Sequence, residues 1–313
     1  MRRLLVPGCA LVLAVLLPVL LFEGCPGKEP GSASLTKGSF RLGVDEAVLP
    51  VMQHEIREFT SQYTGAQVTV QDAEAREIIA QFAADSIRTI VCARELNREE
   101  REALAAAKVS IQEYLVARSA VAVIAHRSVP LGRLRVGQLD TIFSGGITRW
   151  PGRSGMMIEL AVCGLNSSVN EVFRKNVLRS GGFDPAAKSF SSGADLLRYV
   201  GATPGAVGIV ALNWLGSSGE GVTVIPVASS AMRPDSTYAP GEYYSPHPAY
   251  IFQGYYPVSA PVYVYTRNIE QDLSMGFIAY LTSVAGQKVF QNDGLVPATM
   301  PVRLVHLTSQ QVN

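Results

Sequence analysis

Residues 162–173, Val-Cys-Gly-Leu-Asn-Ser-Ser-Val-Asn-Glu-Val-Phe, join a predicted strand to a predicted helix through a short polar turn. Glycine and asparagine permit such a tight turn. Ser168 followed by Glu171 three residues later matches a capping box, and the next apolar residues recur at helical spacing. A helix start of this kind presents free N–H groups and a positive dipole end, which can bind an anion. An ordinary capped helix fits the same pattern.

The rest of the chain alternates short strands with amphipathic helices. Strands are predicted at 40–44, 67–71, 88–92, 116–126, 158–163, 205–210, 222–227 and 262–266. Helices are predicted at 50–65, 73–84, 97–107, 137–143 and 275–284, and others begin near 168 and 192. This alternation predicts an α/β fold with a mostly parallel sheet. Residues 232–256 are predicted to form an irregular surface excursion, either an aromatic loop packed on the body or a platform for a carbohydrate or an aromatic ligand.

The first residues predict an export signal. Arg2 and Arg3 precede an apolar run that ends at Phe22, as in a secretory leader. Residues 20–25, Leu-Leu-Phe-Glu-Gly-Cys, resemble a bacterial lipoprotein processing site, which makes 1–24 the signal peptide and Cys25 the lipidated residue. A plain signal peptide or an uncleaved anchor is the alternative. Residues 25–39 are predicted to be a flexible tether, and the chain to be a membrane-anchored lipoprotein on the periplasmic side of the envelope.

Charge and cysteine content exclude several classes of protein. Removing the charges of residues 1–24 from the 27 basic and 26 acidic residues leaves 25 of each, so no basic excess is available for nucleic acid. Only Cys92 and Cys163 remain in the body, too few for a disulfide scaffold. The four histidines are scattered, and no metal-ligand spacing occurs. We therefore predict neither a metal site nor a cofactor.

Three phrases in order resemble the phosphate-binding, PstS-like branch of the solute-binding proteins of bacterial ABC importers. They are residues 85–96 (DSIRTIVCAREL), residues 138–150 (QLDTIFSGGITRW), and the opening stretch followed by GAVG at 205–208. The second phrase is the most specific, close to the family's IFSGxITxW. The resemblance spans roughly 40–303, almost the whole mature body.

The resemblance implies a periplasmic-binding-protein (type II) fold, in which two α/β lobes are joined by two crossover strands around a ligand cleft. Carried onto this chain, 116–126 crosses outward and 258–266 crosses back. Lobe 1 is then 40–115 plus 262–313, and lobe 2 is 116–261. Ligands of such folds lie at strand ends and helix starts, and the lobes close by hinge bending. We expect a monomer.

The resemblance also implies the ligand-binding residues, turn by turn. They are Asp45, Glu46 and Ala47 in the first turn, Ala93 and Arg94 in the second, and Asn166, Ser167, Ser168 and Val169 in the third. The two carboxylates stand where the family usually has hydroxyls. They either accept a hydrogen bond from a protonated phosphate or favour the start of the helix at Pro50.

Arg94 is the only guanidinium in the three turns and is the first choice for contact with an anion. The alternative is a surface pair with Glu95 or Glu99. The third turn lacks the arginine and threonine of the family. Phosphate would therefore be held by backbone N–H groups, Asn166, Ser167, Ser168 and Arg94.

Three functions are compatible with these observations. The leading one is a lipid-anchored solute-binding protein, not an enzyme, that captures phosphate or a related small oxyanion and delivers it to an ABC permease in the inner membrane. The second is an envelope sensor or adhesion module on the same fold, using the tyrosine-rich segment. The third is a phosphatase or esterase with Ser167 or Ser168 as nucleophile, although the sequence has no G-x-S-x-G elbow.

Overall fold

The computed structural model of the chain describes residues 34–152, 155–179, 182–217, 221–228, 242–268 and 270–299. The predicted leader, Cys25, most of the predicted tether and part of the tyrosine-rich excursion lie outside these residues. The strands are β1 (Gly38–Asp45), β2 (Ala66–Ala73), β3 (Thr89–Cys92), β4 (Gln112–His126), β5 (Leu134–Arg135), β6 (Glu159–Cys163), β7 (Lys188–Phe190), β8 (Ala206–Ala211), β9 (Val222–Val224), β10 (Val227–Ala228), β11 (Ser259–Thr266) and β12 (Val296–Pro297).

The helices bury the faces that their periodicity predicts. They are α1 (Leu49–Gln62), α2 (Ala75–Ala83), α3 (Arg98–Ala106), α4 (Val136–Phe143), α5 (Ser168–Asn176), α6 (Gly193–Ala202), α7 (Pro248–Phe252), α8 (Leu273–Thr282) and α9 (Val284–Asn292). Short 3-10 turns precede α1 at Glu46–Val48 and follow β8 at Leu212–Ser217. At the start of α3, the side chains of Asn97 and Glu100 form a capping box. The helix predicted at 275–284 is α8, which ends at Thr282, and Ser283 then caps α9, a helix that was not predicted.

The main sheet runs in the order β2-β1-β3-β11-β4-β8-β6-β7, with β9 and β12 also paired to β4. The strands β1–β3 are parallel to one another, as are β6–β8. In contrast, β4 and β11 run antiparallel to their neighbours, so the sheet is mixed and not mostly parallel. The physical reason is that the chain crosses from one lobe to the other and later returns, and the returning strand runs in the opposite direction.

The long strand β4 joins the two lobes. Its residues 112–120 pair with β11, and its residues 121–125 pair with β8 in the other lobe. The predicted two-lobe type II fold with two crossover strands is therefore confirmed. Lobe 1 is built on β1–β3 and lobe 2 on β6–β8, while the exact lobe boundaries predicted above stay a prediction. Helices α1, α2, α5 and α6 start at the carboxyl ends of strands, where the two lobes face each other.

Both body cysteines are buried and unbridged. Cys92 ends β3 and Cys163 ends β6, one in each lobe, and burial raises the pKa of both thiols. Buried cysteines of this kind behave as small apolar side chains, in agreement with their position at the ends of apolar strands. Among the described residues no helix is long and apolar enough to cross a membrane.

Candidate functional site

Asp45 lies at the centre of the contact between the lobes. It ends β1 and has no exposed surface. One carboxylate oxygen, Oδ1, accepts the backbone N–H of Ala47 at 3.1 Å. The other, Oδ2, accepts the N–H of Ala93 at 2.9 Å and a hydrogen bond from the Ser168 hydroxyl. Because Ser168 begins α5 in lobe 2, this one carboxylate ties both lobes together.

Glu46 makes a second carboxylate contact between the lobes. Its Oε1 accepts the N–H of Gly193, the first residue of α6, at 2.7 Å. Its own carbonyl oxygen accepts the indole N–H of Trp214 at 3.2 Å. A carboxylate at a helix start is favoured by the helix dipole and by the free N–H groups there. Asp45 and Glu46 therefore each occupy an anion-binding position.

Burial disfavours the ionised form of both carboxylates. It raises the pKa of Asp45, although the hydrogen bonds from Ser168, Ala93 and Ala47 oppose the shift. It raises the pKa of Glu46 to about 7, and the neighbouring charge of Asp45 adds to that rise. Near neutral pH the cleft therefore holds two carboxyl groups, of which Glu46 is close to its titration midpoint.

Arg94 is engaged by carboxylates on both sides. Its Nη1 and Nη2 donate to the two carboxylate oxygens of Glu100 at 2.7 and 2.6 Å, a bidentate pair. Its Nε lies 3.2 Å from Oε2 of Glu171, which belongs to α5 in the opposite lobe. The guanidinium is only 4% exposed. The alternative of a surface pair with Glu95 or Glu99 is thus wrong, because the capping residue Glu100 and the distant Glu171 hold the side chain.

The start of α5 differs from the predicted capping box. Ser167, and not Ser168, is the N-cap, and its hydroxyl accepts the N–H of Asn170 at 3.2 Å. Ser168 is the first helical residue, and its hydroxyl turns to Asp45. Glu171 does not reach back to the cap, since its carboxylate contacts Asn97 at 3.1 Å and Arg94. The prediction of a Ser168–Glu171 capping box is wrong because partners from the other lobe attract both side chains.

The remaining predicted residues line or border the closed cleft. The backbone of Asn166 joins the lobes, its N–H donating to Oε2 of Glu74 at 2.9 Å and its carbonyl accepting from Arg76 at 3.2 Å. Ala47, Ala93 and Val169 line a cavity of about 10 Å³ between the lobes. That space is close to the minimum that one water needs, and it is too small for a phosphate ion.

Several residues of the site were not predicted from the sequence. Ser119 on β4 lines the cavity with its hydroxyl buried and without a hydrogen-bond partner among the described residues. Gly193 is the first residue of a helix whose cap the sequence does show, so its role as a donor could have been inferred. Trp214 and Glu74 lie far away in sequence from their partners, and no local pattern indicates them.

Comparison with known proteins settles the family. A family model described as the PBP superfamily domain matches residues 30–285. The chain belongs to the PBP superfamily. No curated protein matches its sequence significantly.

Solved structures share the fold of this PBP-superfamily chain at low identity. A substrate-binding protein assigned to a phosphate ABC transporter of Clostridium perfringens, solved with bound phosphate, has a TM-score of 0.71 and 18% identity over 83% of this chain and 100% of its own. An ABC-type phosphate transport receptor from Vibrio cholerae has a TM-score of 0.63 and 20% identity over 84% and 100%. The CcmR regulatory domain of Synechocystis PCC6803 in complex with 2-PG has a TM-score of 0.52 and 14% identity over 78% and 96%.

Replacement of the true N-cap should weaken α5. We expect Ser167→Ala to lower the free energy of unfolding by about 1 kcal/mol, because the N–H of Asn170 loses its acceptor. Ser167→Asn should restore most of that loss, since asparagine caps as well as serine. Urea denaturation measures both. Equal stability of Ser167→Ala and the parent chain would contradict Ser167 as the cap.

Proposed function

We propose that this PBP-superfamily chain is the solute-binding protein of an ABC importer that captures phosphate or a related small oxyanion between its lobes. The proposal includes a lipid anchor at Cys25, a periplasmic position and delivery to an inner-membrane permease. The observation that carries the ligand class is the convergence of four donors on the cleft. They are the N–H groups of Ala47, Ala93 and Gly193 and the hydroxyl of Ser168.

These donors come from both lobes and already bind anionic groups. Each one donates to a carboxyl oxygen of Asp45 or Glu46, and the oxygens of a small oxyanion accept hydrogen bonds from the same kinds of donor. Three of them lie at the starts of helices or 3-10 turns, where the helix dipole favours negative charge. An oxyanion that enters when the lobes open would meet the same donors.

Calorimetry and thermal melting with a panel of oxyanions test the proposal. The panel contains phosphate, sulfate, nitrate and a small carboxylate. Saturation at about 100 times the dissociation constant should raise the free energy of unfolding by roughly 2.7 kcal/mol. Ser168→Ala should bind the same oxyanion at least about tenfold more weakly, because it removes a hydrogen bond to a charged group.

A matched control is Ser61→Ala, which removes an exposed hydroxyl from α1. It should bind like the parent chain. Absence of both heat and stabilisation with every oxyanion in the panel would exclude this function.

A sensor on the same fold is the second candidate. The observation that favours it is that Arg94, the predicted cationic contact, is bound by Glu100 and Glu171, so the cleft is closed by the chain's own groups. A sensor would bind a partner protein in one of its two lobe arrangements. Pull-down of a permease subunit from the native envelope supports transport, and pull-down of a membrane kinase or regulator supports the sensor.

A further inference from the structure

The carboxylate of Asp45 has the surroundings of a bound anion. Its two oxygens receive three hydrogen bonds, from the turn after β1, from the end of β3 and from the start of α5. Two of these donors belong to lobe 1 and one to lobe 2. No cationic side chain forms a hydrogen bond with it among the described residues. A carboxyl group held in this way bridges the two lobes through its own hydrogen bonds.

We propose that Asp45 is an internal ligand, whose carboxylate takes the donors of the solute site and closes the two lobes in the solute-free protein. The inference rests on the proposed function for the identity of the competing solute. The closed state does not depend on the proposed function, because the contacts within the chain define it.

The volume of the cleft supports this interpretation. The cavity next to the Asp45 contact measures only about 10 Å³ and is lined by Asp45's partner Ser168 and by apolar residues such as Ala47 and Val172. A separate pocket of about 450 Å³ lies between the lobes beside Arg94 and Glu171. A phosphate ion cannot share the smaller space with the Asp45 carboxylate. Binding of an oxyanion by the donors around Asp45 therefore requires the lobes to separate and the carboxylate to give up the Ser168 hydroxyl.

The buried hydroxyl of Ser119 is a second, independent sign of a solute site. Ser119 is 3% exposed, lines the same cavity and has no hydrogen-bond partner among the described residues. A buried hydroxyl without a partner costs free energy, which a purely structural contact between lobes would avoid. A solute in the opened cleft could satisfy it, whereas the tethered carboxylate does not.

Further carboxylates complete the closure. Three other carboxylates each contact a group in the opposite lobe. Glu46 accepts the N–H of Gly193, and Glu74 accepts the N–H of Asn166. Glu171 contacts the side chains of Arg94 and Asn97. The cleft thus contains several acidic groups before any solute arrives, and burial raises the pKa of two of them, Asp45 and Glu46. An oxyanion can take the donors of Asp45 only if this side chain withdraws, because each of those N–H and O–H groups already donates to it.

An internal ligand leaves only a fraction of the molecules open. The apparent affinity for a solute is the affinity of the open form multiplied by that fraction. Removal of the Asp45 carboxylate should therefore have two effects. The solute-free lobes should separate, and the affinity for an oxyanion should rise. An ordinary structural aspartate would give the first effect only through general destabilisation.

Hydrogen exchange of backbone amides, followed by mass spectrometry on the solute-free protein, tests the closed state. In Asp45→Ala we expect exchange at least about tenfold faster in peptides that contain Asn166 and Gly193. Neither amide donates to Asp45, since their acceptors are Glu74 and Glu46. Peptides from the buried strand β8 should be unchanged, which separates lobe opening from unfolding. Asp195→Ala, which removes an exposed carboxylate from α6, serves as the control.

Phosphate calorimetry on the same proteins separates this inference from the proposed function. Tighter binding by Asp45→Ala than by the parent chain, by about tenfold or more, supports the internal ligand. Equal or weaker binding by Asp45→Ala, or unchanged exchange at Asn166 and Gly193, overturns it. If no oxyanion binds either protein, the proposed function fails, while the exchange result still decides whether Asp45 closes the lobes. If Asp45→Ala fails to fold, Asp45→Asn provides the same comparison.

Discussion

Raising the pH from about 5 to about 9 is expected to lower the free energy of unfolding by several kcal/mol through one residue, Glu55. Its side chain on α1 has no exposed surface, and neither carboxylate oxygen has a hydrogen-bond partner among the described residues. Burial raises the pKa of Glu55 to about 9, and the charges of Asp293 and Glu58 add to the rise. The folded protein therefore keeps this carboxyl protonated at neutral pH.

The direction of the effect follows from proton binding. Below the ordinary pKa of 4.5 both folded and unfolded chains carry the proton, and the stability does not change. Between that value and about 9 only the folded chain keeps it, so stability falls as the pH rises through this window. One pKa unit corresponds to about 1.36 kcal/mol, which gives a loss on the order of 3 kcal/mol at pH 7 relative to pH 4.5.

Urea denaturation of the parent chain and of Glu55→Gln across this pH range measures the effect. Glu55→Gln should lack this part of the slope, because an amide does not titrate there. Glu58→Gln is the matched control, since Glu58 lies on the same helix with a side chain 54% exposed, and it should keep most of the slope. Parallel pH profiles for the parent chain and Glu55→Gln would show that Glu55 is ionised in the folded state.

Arg94→Met should destabilise the protein by about 3–5 kcal/mol, because it leaves two carboxylates at the lobe contact without their cation. Glu100 and Glu171 are 13% and 27% exposed, so water compensates only partly for the loss. The double-mutant cycle with Glu100→Gln should show strong coupling, since Glu100→Gln removes one of the charges that Arg94 neutralises.

Arg98→Met provides the control for Arg94→Met. Arg98 lies four residues further on, its side chain is 89% exposed, and it pairs with Glu102 within α3. Such a surface pair contributes less than about 1 kcal/mol. A loss at Arg94 no larger than that at Arg98 would mean that the guanidinium is not part of the lobe contact. Arg94 as a contact for the solute anion stays a prediction, which phosphate calorimetry on Arg94→Lys would test.

Local patterns in the sequence predict most of the secondary structure. Strand β4 is visible as a long apolar run, α3 as a capping box at Asn97 and Glu100, and α6 as a serine followed by a helical apolar pattern. These signals are local because backbone hydrogen bonds and caps join residues a few positions apart. The resemblance to PstS-like proteins added the two-lobe arrangement. Periodicity alone does not determine how strands order themselves in a sheet.

The predicted turns also meet as expected, but the roles of their side chains differ from those assigned. Asp45, Ala93 and Ser168 come together, and Asn166 contacts the opposite lobe. Ser167, and not the predicted Ser168, caps α5, and Arg94 is bound by carboxylates. Sequence spacing could not reveal these side-chain partners. Ser168 and Asp45 are 123 residues apart, and Glu171 reaches Arg94 from the other lobe.

The amino-acid sequence alone predicts most of the strands and helices, the three polar turns at strand ends and a near-neutral chain. Each of these depends on residue type and short-range spacing. Only the tertiary structure decided that the donors of those turns bind the chain's own Asp45 and Glu46 and leave a cavity of about 10 Å³. The physical reason is that a buried donor takes the nearest acceptor in space, and that acceptor is set by how the two lobes close.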